Sequence, residues 1–112
     1  MNAVHKATLA LQGDISKEAV ALRLRAARAA LTPSISQQEM AARLGILKQT
    51  YGNWETGVAY PSLTGMRHFL REYRIDFNFL IHGDFSQLPF DVQEPLFAAL
   101  EAEAAKRDRK SS

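Results

Sequence analysis

The chain has 112 residues, 46% of them apolar and 23% charged, with a formal net charge of +2. That is enough for one domain with a modest single core, and too apolar for a disordered tail. It has no cysteine, which excludes disulfides, Cys-based zinc sites and a thiol nucleophile and suits a reducing, cytoplasmic setting. No run of about 18 apolar residues predicts a membrane span. The first fourteen residues lack the basic start and unbroken apolar stretch of a secretory signal.

The charge is uneven. Residues 17–83 carry nine Lys/Arg against five Asp/Glu, residues 84–112 carry four against six, and residues 1–16 balance. A mildly basic middle leans weakly towards a polyanionic partner.

Residues 1–15 read as an N-terminal arm. Ala7, Leu9 and Leu11 alternate in "KATLALQ", which suits a short strand or a flexible start. From Ser16 the pattern becomes helical: "KEAVALRLRAARAAL" is rich in Ala, Leu and Arg. Val20, Leu24, Ala27 and Leu31 form one stripe of a first helix, which Pro33 stops. Arg23 and Arg25 read as solvent-facing or as weak phosphate contacts. "SQQE" at 36–39 is a capping box that opens a short second helix with Met40, Ala41 and Leu44 inward, ending at Gly45.

The stretch "GILKQTYGNWETG", residues 45–57, follows at once. On a helical projection Leu47, Tyr51 and Trp54 share an apolar edge, while Lys48, Gln49, Gly52, Asn53 and Thr56 lie opposite. Gly57 suits the left-handed position that ends the helix. A fourth helix opens at Pro61 or Ser62, with Leu63, Met66, Leu70 and Tyr73 inward. "IDFNFLIHG" reads as a short fifth helix capped by Asp76 and stopped by Gly83. Beyond Leu88 and Pro89, an amphipathic helix over roughly 91–109 carries Val92, Leu96, Phe97, Leu100 and Ala104. No strand is expected after the arm, and the fold class is all-α.

The run from Arg23 to Gly83 resembles the phage repressor/Cro-type helix-turn-helix family. The resemblance rests on "LRAAR", "SQQEMAARLG", "QTYGNWETG", "YPS" and "DFNFLIHG", five elements in order with fitting spacing. It implies a five-helix DNA-binding domain over 16–84, with the segment 85–112 added as a C-terminal helix and basic tail. In that family the second motif helix enters a major groove ~12 Å wide. Lys48, Gln49, Gly52 and Asn53 would then face the bases. Gln and Asn can bond adenine as a fork, Lys can donate to guanine, and Gly52 leaves room for close approach. Gln37 matches a phosphate contact at a helix N-terminus, with Thr56 and Tyr60 as further phosphate candidates. Arg28 and Glu55 match positions that form an internal salt bridge in some members.

The sequence departs from the family at three places. Thr32, Pro33, Ser34 and Ile35 lengthen the loop before Ser36, Leu47 stands where a Ser or Thr cap is common, and "GVAY" lacks backbone-gripping cations. The C-terminal helix has two readings. It folds back as a lid over Phe77, Phe79 and Leu80, or it places Leu96, Phe97 and Leu100 at a homodimer contact, the reading preferred here.

His5, His68 and His82 show no metal-ligand spacing, so no metal is expected. There is no phosphate-binding glycine loop and no carboxylate pair set for acid/base work, so neither an enzyme nor a cofactor is expected. No motif points to a small-molecule effector. The expectation is a double-stranded DNA-binding transcriptional regulator acting as a homodimeric repressor without membrane contact. The alternative is a protein-interaction module, an antitoxin or adaptor built on the same fold.

Overall fold

The computed structural model describes residues 1–111. Among them the chain forms six α-helices, one π-helical turn and no strand. In order these are α1 (Ala3–Leu9), α2 (Lys17–Ala29), α3 (Gln37–Leu44), α4 (Lys48–Glu55), α5 (Leu63–Tyr73), the π-turn (Asn78–His82) and α6 (Phe90–Ser111). None of the helices is long and apolar enough to cross a membrane.

Four helix starts are fixed by a polar side chain that accepts from the backbone N–H three residues on. Asn2 caps α1 through His5, Ser16 caps α2 through Ala19, Ser36 caps α3 through Glu39 and Ser62 caps α5 through Gly65. Each such cap contributes about 1 kcal/mol. Asp76 acts in the same way on the N–H of Phe79, at the entry to the π-turn.

The central element is α2. Ala19 through Leu24, Ala26 and Ala27 are all buried, because α4, α6 and the π-turn pack around it. Its small alanines let those neighbours approach closely. One apolar core runs from Leu9 and Ala10 through Leu24, Met40, Trp54, Phe69 and Phe79 to Leu96 and Leu100.

Three expectations are corrected here. First, Ala7, Leu9 and Leu11 do not form a strand. The Asn2 cap nucleates a helix, and a turn with Leu11 at φ 51° then seats Gly13 N–H on the carbonyl of His82 at 2.8 Å. Second, the inner face of α5 centres on Phe69 with Met66 and Gly65, leaving Leu63 and Leu70 exposed. At 100° per residue both leucines lie about 100° or more from Phe69. Third, Leu96, Phe97 and Leu100 are buried in the chain's own core. Helix α6 folds back on α2 and α1, with Phe85 edge-on to Phe97 at 5.2 Å. These three residues therefore pack inside the chain's own core, and they are not an exposed dimer contact.

Candidate nucleic-acid interface

Helix α3 ends on Gly45 in the left-handed conformation (φ 69°, ψ 31°), which a residue without Cβ adopts at no steric cost. Two residues later α4 begins. Leu47 is its N-cap, with extended backbone (ψ 145°) and no side-chain cap bond. It is 75% exposed, which corrects its placement on the inner edge: a cap residue lies outside the helical repeat, so the projection does not apply to it. Tyr51, Trp54 and Glu55 are buried, whereas Lys48 and Gln49 are exposed and Gly52 and Asn53 are half-buried. Among the described residues, none hydrogen-bonds the side chain of Lys48, Gln49 or Asn53. The outer face of α4 is an uncommitted set of donors and acceptors beside one exposed leucine.

The inner edge is held firmly. Glu55, 1% exposed, receives Arg28 Nε at 2.6 Å and Arg28 Nη2 at 2.9 Å, a two-pronged ion pair. Gln37 Nε2 donates to the same carboxylate at 2.9 Å, and Arg25 Nη1 donates to the Glu55 carbonyl at 2.7 Å. Burial alone would push the Glu55 carboxyl up, but the hydrogen bonds it receives, those of Arg28 foremost, hold it below the usual carboxylate range. Burial and the neighbouring Glu55 charge push the Tyr51 phenol up, so it stays protonated. Arg28 also reaches the carbonyl of Ile35 at 2.9 Å, which pins the lengthened loop between α2 and α3. Two rings complete the anchor: Tyr51 meets Trp54 edge-on at 5.6 Å, and Trp54 rests on Gly65 of α5.

The phosphate candidates are differently disposed. Gln37 is turned towards Glu55, yet a primary amide has two N–H donors and only one is used there. Its backbone N–H also stands at the first turn of α3, where no intrahelical partner exists. Thr56 is exposed and leans on the carbonyl of Asn53 at 3.4 Å. Tyr60 is half exposed, but its hydroxyl donates to the carbonyl of Ile15 at 2.7 Å, so its proton is already engaged. Lys17 Nζ lies 5.9 Å from the Tyr60 ring, which brings a cation to the loop that carries none of its own.

Arg23 is the residue that sequence reasoning misjudged most. It is fully buried, and its guanidinium donates to five carbonyls: Ala10, Leu11 and Asp14 at 2.8, 2.6 and 2.6 Å, Ile81 at 3.0 Å and Leu80 at 3.4 Å. It joins the end of α1 to the π-turn. Burial pulls its pKa down, opposed by Asp14 and Asp84. Its neighbours three and four residues away on α2, Ala19, Val20, Ala26 and Ala27, are all apolar, and they were the available signal. Arg25, by contrast, is partly exposed and pairs with Glu103 of α6 at 3.3 Å.

Two short helices joined at a left-handed glycine, with the second presenting a polar face outward, form a helix-turn-helix. A family model described as helix-turn-helix matches residues 24–79, from α2 into the π-turn. The chain belongs to the Cro/C1-type helix-turn-helix family. The family consists of DNA-binding regulators that are typically not enzymes. No curated protein and no solved structure gives a significant match. The matched span contains α3 and α4, whereas α1 and all of α6 lie outside it.

Proposed function

We propose that this helix-turn-helix protein is a sequence-specific regulator of transcription that binds double-stranded DNA in the cytoplasm, acting as a dimeric repressor. The observation that carries the reading is the division of α4: Tyr51, Trp54 and Glu55 are locked inward while Lys48, Gln49, Gly52 and Asn53 are left outward without partners. The folded helix has its backbone fixed in advance, so only side-chain freedom is lost when these groups meet base edges. Gln49 and Asn53 carry the paired donor and acceptor that adenine presents, and Lys48 donates to guanine. Leu47 joins this face as an apolar contact suited to a thymine methyl. Gln37, through its second amide N–H and its backbone N–H, would hold a phosphate and set the register, with Thr56 at the other end of α4.

Repression would be occlusion. Two copies with recognition helices about 34 Å apart would read two half-sites one DNA turn apart and exclude polymerase. A titration against operator-length duplex at low and high salt tests the reading. Counterion release predicts that log K falls linearly with log salt, with a slope of about −0.9 per phosphate neutralised. Absence of binding at low salt would reject it in favour of a protein-interaction module on the same fold.

A further inference from the structure

Helices α3 and α5 enclose a surface cleft of about 330 Å³. Arg43 lines it from the last turn of α3, and Thr64, Arg67 and Arg71 line it from α5. The last three follow at steps of three and four residues, so they share one face of their helix. Arg43 is positioned by two bonds, Nη1 donating to the Tyr73 hydroxyl and Nη2 to the Glu39 carboxylate, each at 3.2 Å. Part of its five-donor fork is left over. Arg67 and Arg71 are exposed, and among the described residues neither has an ion-pair or hydrogen-bond partner. His68 also lines the cleft, and its Nε2, screened from solvent, has no partner either. Three guanidiniums thus line one hollow, against the single lining carboxylate of Glu72.

Like charges one turn apart on a helix repel. Arg67 and Arg71 are such a pair, and a third cation stands across from them on α3. An anion in the cleft would relieve that repulsion, and the donor set selects among anions. Guanidinium forks match carboxylate and phosphate alike. A carboxylate brings one charge and two oxygens, whereas a phosphate monoester brings about two charges and three strong acceptor oxygens. That suits forks from two helices and the Thr64 hydroxyl together. We propose that the α3–α5 cleft is a phosphate-binding site, separate from Gln37 and from the outer face of α4. Two sources offer this chemistry. One is a phosphorylated small molecule, which would bridge α3 to α5 and stiffen the frame that holds α4. The other is the backbone of a duplex lying against α4, since Leu44 of the cleft stands three residues before Leu47, the exposed N-cap of α4. The second source rests on the proposed DNA reading; the first does not.

The full chain is titrated with pyrophosphate, without DNA, and followed by NMR at the backbone amides and the arginine Nε–H groups. The same proteins are then titrated with duplex at several salt concentrations. If the cleft takes a free phosphate compound, pyrophosphate shifts Arg43, Arg67 and Arg71 together in the wild type. Arg67→Gln with Arg71→Gln then weakens its binding at least about tenfold and leaves the salt slope of duplex binding alone. If the cleft takes the duplex backbone, the double variant lowers that slope by about 0.9 for each phosphate released. The ratio of affinities for specific and random duplex stays as it was. Arg74→Gln controls for charge: Arg74 lies just beyond α5, outside the cleft, and pairs with Asp91, so it should change neither reading. No pyrophosphate shift at the three arginines together with an unchanged salt slope would overturn the proposal. So would equal losses in Arg74→Gln, or succinate binding as tightly as pyrophosphate. A wild type that binds no duplex ends the DNA reading, and the pyrophosphate titration then decides the site alone.

Discussion

The indole of Trp54 packs on the bare Cα of Gly65: a methyl group at position 65 would lie 2.6 Å from Cζ3 and 2.8 Å from Cη2 of the ring. No real Cβ tolerates that approach, and neither partner is a flexible chain end. The seating of α4 on α5 thus depends on an absent side chain.

Gly65→Ala is therefore expected to destabilise the fold by about 1–3 kcal/mol, the usual cost of overpacking, despite alanine's better helix propensity. Gly52→Ala makes the contrast. A Cβ there meets only Gln37 Oε1 at 3.8 Å, so stability should hold or rise by up to about 1 kcal/mol. If the Gly52 face approaches DNA closely, affinity falls in the same variant. Urea denaturation of both variants, with a DNA titration of the second, separates packing from recognition.

Glu55 makes stability sensitive to acid. Its folded pKa lies below the usual value, so the ion pair contributes fully above the unfolded carboxylate pKa of about 4.3. That contribution is lost as pH falls through the folded value. Glu55→Gln should flatten this part of the pH–stability curve. Arg28→Met should cost more at pH 7, on the order of 3–5 kcal/mol, because it strands a buried carboxylate. Denaturant midpoints measured from pH 7 into the acid range check both.

Arg23→Met should cost at least about 3 kcal/mol, since five carbonyls lose their donor at once inside the protein. Lysine should not rescue it: a compact ammonium cannot span partners on both α1 and the π-turn. Amide exchange should show the loss first at Gly13, whose N–H bonds to the His82 carbonyl at 2.8 Å.

The motif was legible because its signals are local. The Ser36 cap, the Gly45 stop and the spacing of Tyr51 and Trp54 depend on residues within a turn or two of one another. What was not legible depended on distant partners. The Arg23 cluster joins carbonyls 9 to 13 and 57 to 58 residues away, and a carbonyl leaves no mark in the side-chain pattern. The inward turn of Leu96, Phe97 and Leu100 needed to know where α1 goes, since an apolar stripe reads alike whether it meets its own chain or a copy. Leu47 was misplaced for a local reason: a helical projection assumes helical backbone, and the cap residue does not have it.

The most direct measurement of the central claim begins with sequences selected from random DNA by the wild-type chain. The affinities of the wild type, Gln49→Ala and Asn53→Ala are then compared on the selected duplex and on random duplex at one salt concentration. If the outer face of α4 reads bases, each variant loses about 1–3 kcal/mol on the selected duplex and little on the random one. Equal losses on both duplexes, or none on either, would contradict it.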